Sequence, residues 1–404
     1  MQFKLLQFYK VLSNFSTSLI SAFVPLLIYQ QTGLVYLAVL YLVVQNATNV
    51  VFNILFKKWL FEKPQLMLML RIIPIIIMQV LLVFLDVAPL WAGIGCGVFT
   101  GLNYVLKYTP SDVIFAYATP PDAGPKMLAF SRLSEEIGYV AAGVLGGLFL
   151  DYIDYTIVIA ISLSLYFVSS LPLVVFYIKN RKQESFNTEH VSNAHVHFES
   201  KVQDGRGKKV CRKMWWGYFI EYALMSGIDA FYAIFGFLVY LKSGSFLLSG
   251  ILNSIFDTLY GASSMLVGKL DEKYDITKIS AISICVMGAI GIALTLTAGS
   301  VVSFVLYEVV AFLWPFATIF VHQHMLIKAK ILGMSNDVTY AKQLGTVAGN
   351  TVFFAFGFIS VIGIGISSAL ATIGCGVFTP VNEEVNRQAL VDYLENNEIA
   401  EQHN

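Results

Sequence analysis

Apolar runs of about 20 residues recur along this 404-residue chain, and its charges gather in the short stretches between them. As an α-helix, a run of that length crosses the roughly 30 Å hydrocarbon core of a bilayer. Lipid offers no partner for an exposed backbone, so such runs must fold as packed helices. Only 13% of the residues are charged, against roughly 25% in soluble domains. The expected fold class is an all-α polytopic membrane protein. A formal net charge of zero argues against nucleic acid as a partner. The cysteines Cys96, Cys211, Cys285 and Cys375 are scattered, with no CxxC spacing, and read as inert thiols rather than as a disulfide or metal framework.

Twelve spans are expected: 8–30, 35–57, 66–86, 88–110, 127–150, 154–178, 214–241, 246–268, 278–298, 300–326, 338–358 and 361–380. The first reads as a retained span, because it lacks the small-residue cleavage site of a signal peptide. Lysines and arginines fall almost wholly in alternate connections: Lys57, Lys58 and Lys63, then Lys126, then 179–213, then Lys269, Lys273 and Lys278, then Lys328 and Lys330. The other connections, "QQTG", "LDVAP", "DYIDY", "KSGS" and "AGS", are nearly free of them. The positive-inside bias then places both termini in the cytoplasm, in a chain expected in the cell membrane as a lipid-embedded monomer. Residues 179–213 are polar and aromatic-poor and read as a cytoplasmic linker between a bundle over 1–178 and one over 214–380, with a tail over 381–404.

The two bundles echo each other. "YQQTGLVYLAVL" from Tyr29 and "YLKSGSFLLSGIL" from Tyr240 share Tyr-x-x-Thr/Ser-Gly, and the same offset sets Asn46 opposite Asp257. Paired repeats with a site at their interface are the build of alternating-access transporters.

Two motifs sharpen this. The loop "GKLDEKYDITK" at 268–278 resembles the Gly-x-x-x-Asp-Arg-x-Gly-Arg loop of the major facilitator superfamily, with Gly268 at the glycine, Glu272 at the acid, Lys273 at the first base, and Asp271 alongside. Asp275 replaces the second glycine, and "KKWLFEKPQ" in the first half has lost its glycine. "IGYVAAGVLGG" resembles the fifth-span Gly-x-x-x-Gly-Pro-x-x-Gly-Gly of antiporters in that superfamily, through Gly138, Gly146 and Gly147, with Ala142 and Gly143 in place of Gly-Pro. The resemblance implies two six-helix bundles related by a pseudo-two-fold axis, and a secondary transporter rather than an enzyme.

Ionisable residues inside spans are the candidate site. A carboxylate at the bilayer centre costs roughly 2.5–3.5 kcal/mol on insertion scales, so it faces a cavity, finds a partner or carries a proton. The acids are Glu135 and Glu136 in span five, Glu221 and Asp229 in span seven, Asp257 in span eight and Glu308 in span ten. Asp257 lies near mid-span, on a polar stripe with Asn253, Tyr260, Gly261 and Ser264. It fits a proton or cation site, and equally an interhelix hydrogen bond. Glu308 is expected to share a face with Pro315 and His322. Adjacent residues on a helix point about 100° apart, so only one of Glu135 and Glu136 can face the path squarely. Arg132 is within reach of either, as an ion pair at the helix end. In the superfamily fold span five packs on span eight, which would bring one of these acids toward Asp257. Two carboxyls sharing a low-dielectric site cannot both ionise easily, and an arriving cation would displace the proton that one retains.

Asn46, Asn49 and Asn53 share one face of span two and, with Asn253, Tyr222 and Tyr232, could line a polar path. Aromatics beside carboxylates suit organic cations. His190, His195 and His197 in the linker are set aside as metal ligands, and no cofactor is implied. "DGRGKKV" lacks the phosphate-loop spacing, and no HExxH or GxSxG occurs. The reading is a transporter exchanging protons for a small organic or lipophilic cation. Proton-coupled uptake or facilitated diffusion of a polar solute and a non-transporting receptor or scaffold are the alternatives.

Overall fold

A computed structural model describes residues 2–118, 125–180, 205–271, 274, 276–331 and 335–402. Among these residues the chain is helical nearly throughout, with no strand. The helices of the first half are α1 (Gln2–Ser21), α2 (Val24–Thr32), α3 (Val35–Glu62), α4 (Pro64–Leu70), α5 (Ile72–Val83), α6 (Pro89–Ala118), α7 (Pro125–Tyr152) and α8 (Tyr155–Asn180). Those of the second half are α9 (Gly205–Ser243), α10 (Phe246–Asp271), α11 (Thr277–Thr297), α12 (Val301–Ile331), α13 (Ser335–Ala355) and α14 (Val361–Gln402).

Every expected span has its helix, but the first and third are each broken in two. Proline lacks an amide donor and its ring clashes with the carbonyl four residues back. Pro25 lies four residues after Ser21, where α1 ends, and Pro74 four after Leu70, where α4 ends. The second break leaves Arg71 between two helices. Part of the expected linker, 205–213, forms the first turns of α9, and 181–204, with His190, His195 and His197, lies outside the described residues. The expected tail continues α14 without a break as far as Gln402.

Nine spans among the described residues are long and apolar enough to cross a membrane. The helices α7, α10 and α13 are not among these nine. The closest seam between the halves runs along α7 and α10. An added Cβ on Gly250 would lie 2.1 Å from the Gly143 carbonyl oxygen, and one on Gly147 2.6 Å from that of Phe246. On the neighbouring face of α7, Gly138 and Gly146 meet the Val11 and Leu19 carbonyls of α1 at 2.5 and 2.7 Å. The small residues of "IGYVAAGVLGG" therefore serve two interfaces at once. The other seam joins α3 to α13.

The repeat is visible in the turns. Gly33 and Gly244 adopt nearly the same left-handed conformation, φ 66° and 67°, and each amide closes back on the carbonyl of the repeat tyrosine, Tyr29 or Tyr240. Those two tyrosine rings meet edge-on at 6.4 Å across the halves, as repeat-related residues near a pseudo-two-fold axis should. We call this the distal end, and the end near Lys10 and Lys57 the proximal end. Distally, an apolar cluster shared by both halves, including Phe23, Leu27, Phe237, Phe246 and Phe354, closes the bundle. The Asp151 carboxylate at the end of α7 reinforces it, accepting hydrogen bonds from Ser245 Oγ (2.8 Å) and from the Phe246 and Leu247 amides (2.9 and 3.0 Å) at the start of α10.

A candidate solute cavity between the halves

Between the halves lies a cavity of about 490 Å³, lined by both. Its second-half wall is built on α9, α10 and α12. Tyr232 donates its hydroxyl to Asp257 Oδ1 at 3.1 Å, and Tyr307 donates to Asn253 Oδ1, one turn earlier on α10, at 3.1 Å. Beside Asp257 the Trp314 ring packs against Tyr232, Phe256 and Tyr260, with centroids 6.0, 5.3 and 5.5 Å away. Tyr260 and Thr318 are hydrogen-bonded at 3.2 Å, and Tyr222 and His322 at 3.4 Å. Asp229 completes this wall.

The first-half wall is different. Arg71, fully buried at the helix break, donates from Nε to Asn103 Oδ1 (2.7 Å) and from Nη1 to Ser13 Oγ (2.9 Å) and the Tyr9 hydroxyl (3.3 Å). Lys107 of α6 donates to the Tyr139 hydroxyl and sits over the Tyr108 and Tyr139 rings, 4.8 and 4.9 Å from their centroids. Asn46 and Asn49 line the cavity, although the Asn46 amide is bonded to the Leu42 carbonyl of its own helix. Asn53 does not reach the cavity lining and is bonded to Asn49 and Thr109.

At the proximal end the halves are tied by polar contacts. Asp112 of α6 accepts from Lys342 (3.0 Å) and Gln343 (2.9 Å) of α13. Lys57 of α3 lies 3.6 Å from Asp337 and over the Tyr340 ring.

Glu135 and Glu136 part company as the helical geometry requires. Glu135 pairs with Lys10 of α1 at 2.6 Å. Glu136 turns toward α10, where a Cβ on Gly261, one turn from Asp257, would lie 3.7 Å from its own Cβ. Both line the cavity. The Arg132 side chain lies outside the described residues, as do those of Asp271, Glu272 and Lys273, while Gly268 is buried near the end of α10.

Two expected acids lie off the cavity lining. Glu221 is buried and accepts from Asn382 Nδ2 of α14 at 2.8 Å, next to the Lys328–Glu383 ion pair. Both carboxyl oxygens of Glu308 are buried without a hydrogen-bond partner among the described residues. The cavity lining on α12 is Trp314, Thr318, Ile319 and His322; at 100° per residue Glu308 falls on the same side of the helix as His322, but it lies nearly two turns before Trp314, outside the lined stretch. Sequence reasoning weighed the membrane acids and passed over Arg71, Lys107, Asn103 and Asp112. Arg71 and Lys107 carried the same signal, a charge inside an apolar run.

Two helical bundles that share a repeat and enclose a polar cavity between them make a solute transporter of the alternating-access kind. The sequence of residues 8–364 matches the Major Facilitator Superfamily, and the chain belongs to that family of secondary transporters. No curated protein sequence matches it. Among solved structures, it is similar to a bacterial homologue of the iron transporter ferroportin in its outward-facing state, with a TM-score of 0.66, 12% identity and coverage of 95% of this chain and 100% of that one. A POT family transporter in complex with 5-aminolevulinic acid gives a TM-score of 0.64 at 15% identity, covering 94% and 96%. The E. coli fucose:proton symporter gives 0.51 at 11%, covering 94% and 98%. At these identities the likeness is one of fold.

Proposed function

We propose that the protein is a proton-coupled transporter that expels a small organic cation across the cell membrane, with both termini in the cytoplasm. The observation that carries this reading is the Asp257 carboxylate, bonded to Tyr232 and set among aromatic rings on the cavity wall. A carboxylate supplies charge, and electron-rich ring faces attract a cation further once water is excluded. The cation and a proton compete for Asp257, so loading one displaces the other and the two fluxes are coupled. Glu136 and Asp229 lend negative potential and hold the proton in transit. The distribution of lysine and arginine supports the orientation. The fucose:proton symporter shares this fold, and proton-driven uptake is the reading it favours.

The test uses purified protein in liposomes with an imposed pH gradient and an aromatic quaternary ammonium ion as probe. Expected is dissipation of the gradient on adding the cation, lost in Asp257→Asn. Cation flux that persists in Asp257→Asn, with protons unmoved, overturns the reading. Co-directional movement of proton and probe turns it into uptake.

A further inference from the structure

Arg71 poses a charge-balance problem that a cation site does not solve. The guanidinium is 2% exposed, and arginine stays protonated in proteins. Its three hydrogen-bond partners, Asn103, Ser13 and Tyr9, are all neutral, and Nη2 is buried with no partner among the described residues. An ion taken out of water without a counter-ion is strongly unfavourable. Of the cavity-lining acids on the same half, Glu135 pairs with Lys10 and Asp112 with Lys342, while Glu136 turns toward α10. Lys107, also on the cavity, donates to a phenol and lies over two ring faces, with the charges of Glu135 and Glu136 in its surroundings. Asn103, Ser13 and Tyr9 pin Nε and Nη1, which fixes the plane of the fork and leaves Nη2 unpartnered in a side chain that lines the cavity.

We propose that Arg71, aided by Lys107, is an anion subsite, and that the transported solute is a zwitterion whose carboxylate or phosphate group docks there. This rests on the cation reading of Asp257, which takes the other end of the same molecule on the opposite wall. With Nε and Nη1 already engaged, the anion takes its charge-assisted hydrogen bond from Nη2, and a carboxylate or a phosphate oxygen serves equally well. Held in place by neutral groups before the solute arrives, the guanidinium needs little reordering on binding. A purely cationic solute would leave Arg71 uncompensated.

The experiment measures binding by calorimetry to the purified full-length protein. The probes are L-tryptophan, glycine betaine and phosphocholine, each beside its cation-only counterpart: tryptophan methyl ester, betaine methyl ester and choline. At least one zwitterion is expected to bind about tenfold or more tightly than its counterpart, the order of effect of a hydrogen bond to a charged group. A preference confined to phosphocholine identifies the anion as phosphate, and one confined to the other two as carboxylate. Arg71→Gln should bring the ratio to within about twofold while the cation-only probe keeps its affinity. Asn103→Asp places a built-in counter-ion on Nε at nearly unchanged volume and should do the same, which covers the case in which Arg71→Gln does not fold. The proposal fails if no zwitterion exceeds its counterpart in the unmodified protein, or if the ratio survives both variants. Asp257→Asn separates the two readings. Weakened binding of both probe types supports the cation site, whereas unchanged binding of both removes that site and leaves the Arg71 ratio to stand by itself.

Discussion

The two halves follow the same course, down to the twin left-handed turns at Gly33 and Gly244, yet the walls they turn toward the cavity differ in chemistry. One carries the buried Arg71 and Lys107, with Glu135, Glu136 and tyrosines alongside; the other carries Asp229 and Asp257, the latter beside Trp314. The pair Asn46 and Asp257 shows how the difference arose within a common scaffold. Both occupy the same place in the repeat, but only Asp257 has a phenol donor and a tryptophan beside it. A repeated backbone fixes where a solute must sit, between the halves, while the side chains on each wall decide which end of it faces which way.

The comparison can be broken most severely by moving the acid. The double variant Asn46→Asp with Asp257→Asn keeps cavity charge and repeat position but takes the carboxylate away from the Tyr232 donor and the Trp314 ring. If the walls are functionally distinct, cation-coupled proton flux in liposomes should stay at least about 100-fold below the unmodified protein, since restoring a charge does not restore ring faces or orientation. Recovery to near-normal flux would make the halves interchangeable. Trp314→Leu tests the ring contribution alone. At about 0.5–2 kcal/mol for a cation–π contact, quaternary ammonium affinity measured by calorimetry should fall roughly 2- to 30-fold, with little change for a neutral solute.

How much of this was legible in the sequence depended on whether the signal was local. The spans could be read because each apolar run must satisfy its own backbone, and the repeat because Tyr-x-x-Thr/Ser-Gly closes a turn within five residues. Asp257 could be read from its polar stripe. Glu308 carried a similar signal, and its carboxyl lies off the cavity lining, nearly two turns along α12 from Trp314. The tie between Asp112 and Lys342 joins residues 230 positions apart, and only the packing of the halves creates it. Arg71 was visible as a charge in an apolar run, but its neutral cradle draws on α1 and α6 and belongs to tertiary structure.

Smaller effects sharpen the contrast between the two ends of the cavity. Lys342→Gln removes the proximal tie to Asp112, a charged hydrogen bond of about 1.5–3 kcal/mol. In a cysteine-free background carrying Asn350→Cys, labelling by a membrane-impermeant maleimide from the proximal side should then rise several-fold. An unchanged rate would mean that the tie does not guard the cavity. The smallest expected effect tests the repeat itself. Gly33→Ala and Gly244→Ala meet no atom within 4 Å, so each should lose only the left-handed backbone preference, about 1–2 kcal/mol. The two Tm shifts should be equal, and a clear inequality would show that the turns are alike in shape but not in the load they bear.

Asp151 carries a mechanical consequence. One carboxylate gathers three donors from the first turn of α10, a latch laid over the apolar cluster that closes the distal end. With it removed, that cluster alone holds the corner of the bundle, so the shut distal face should open sooner. The tempo of the cycle could thus be retuned at a residue off the cavity lining, without altering what the protein carries.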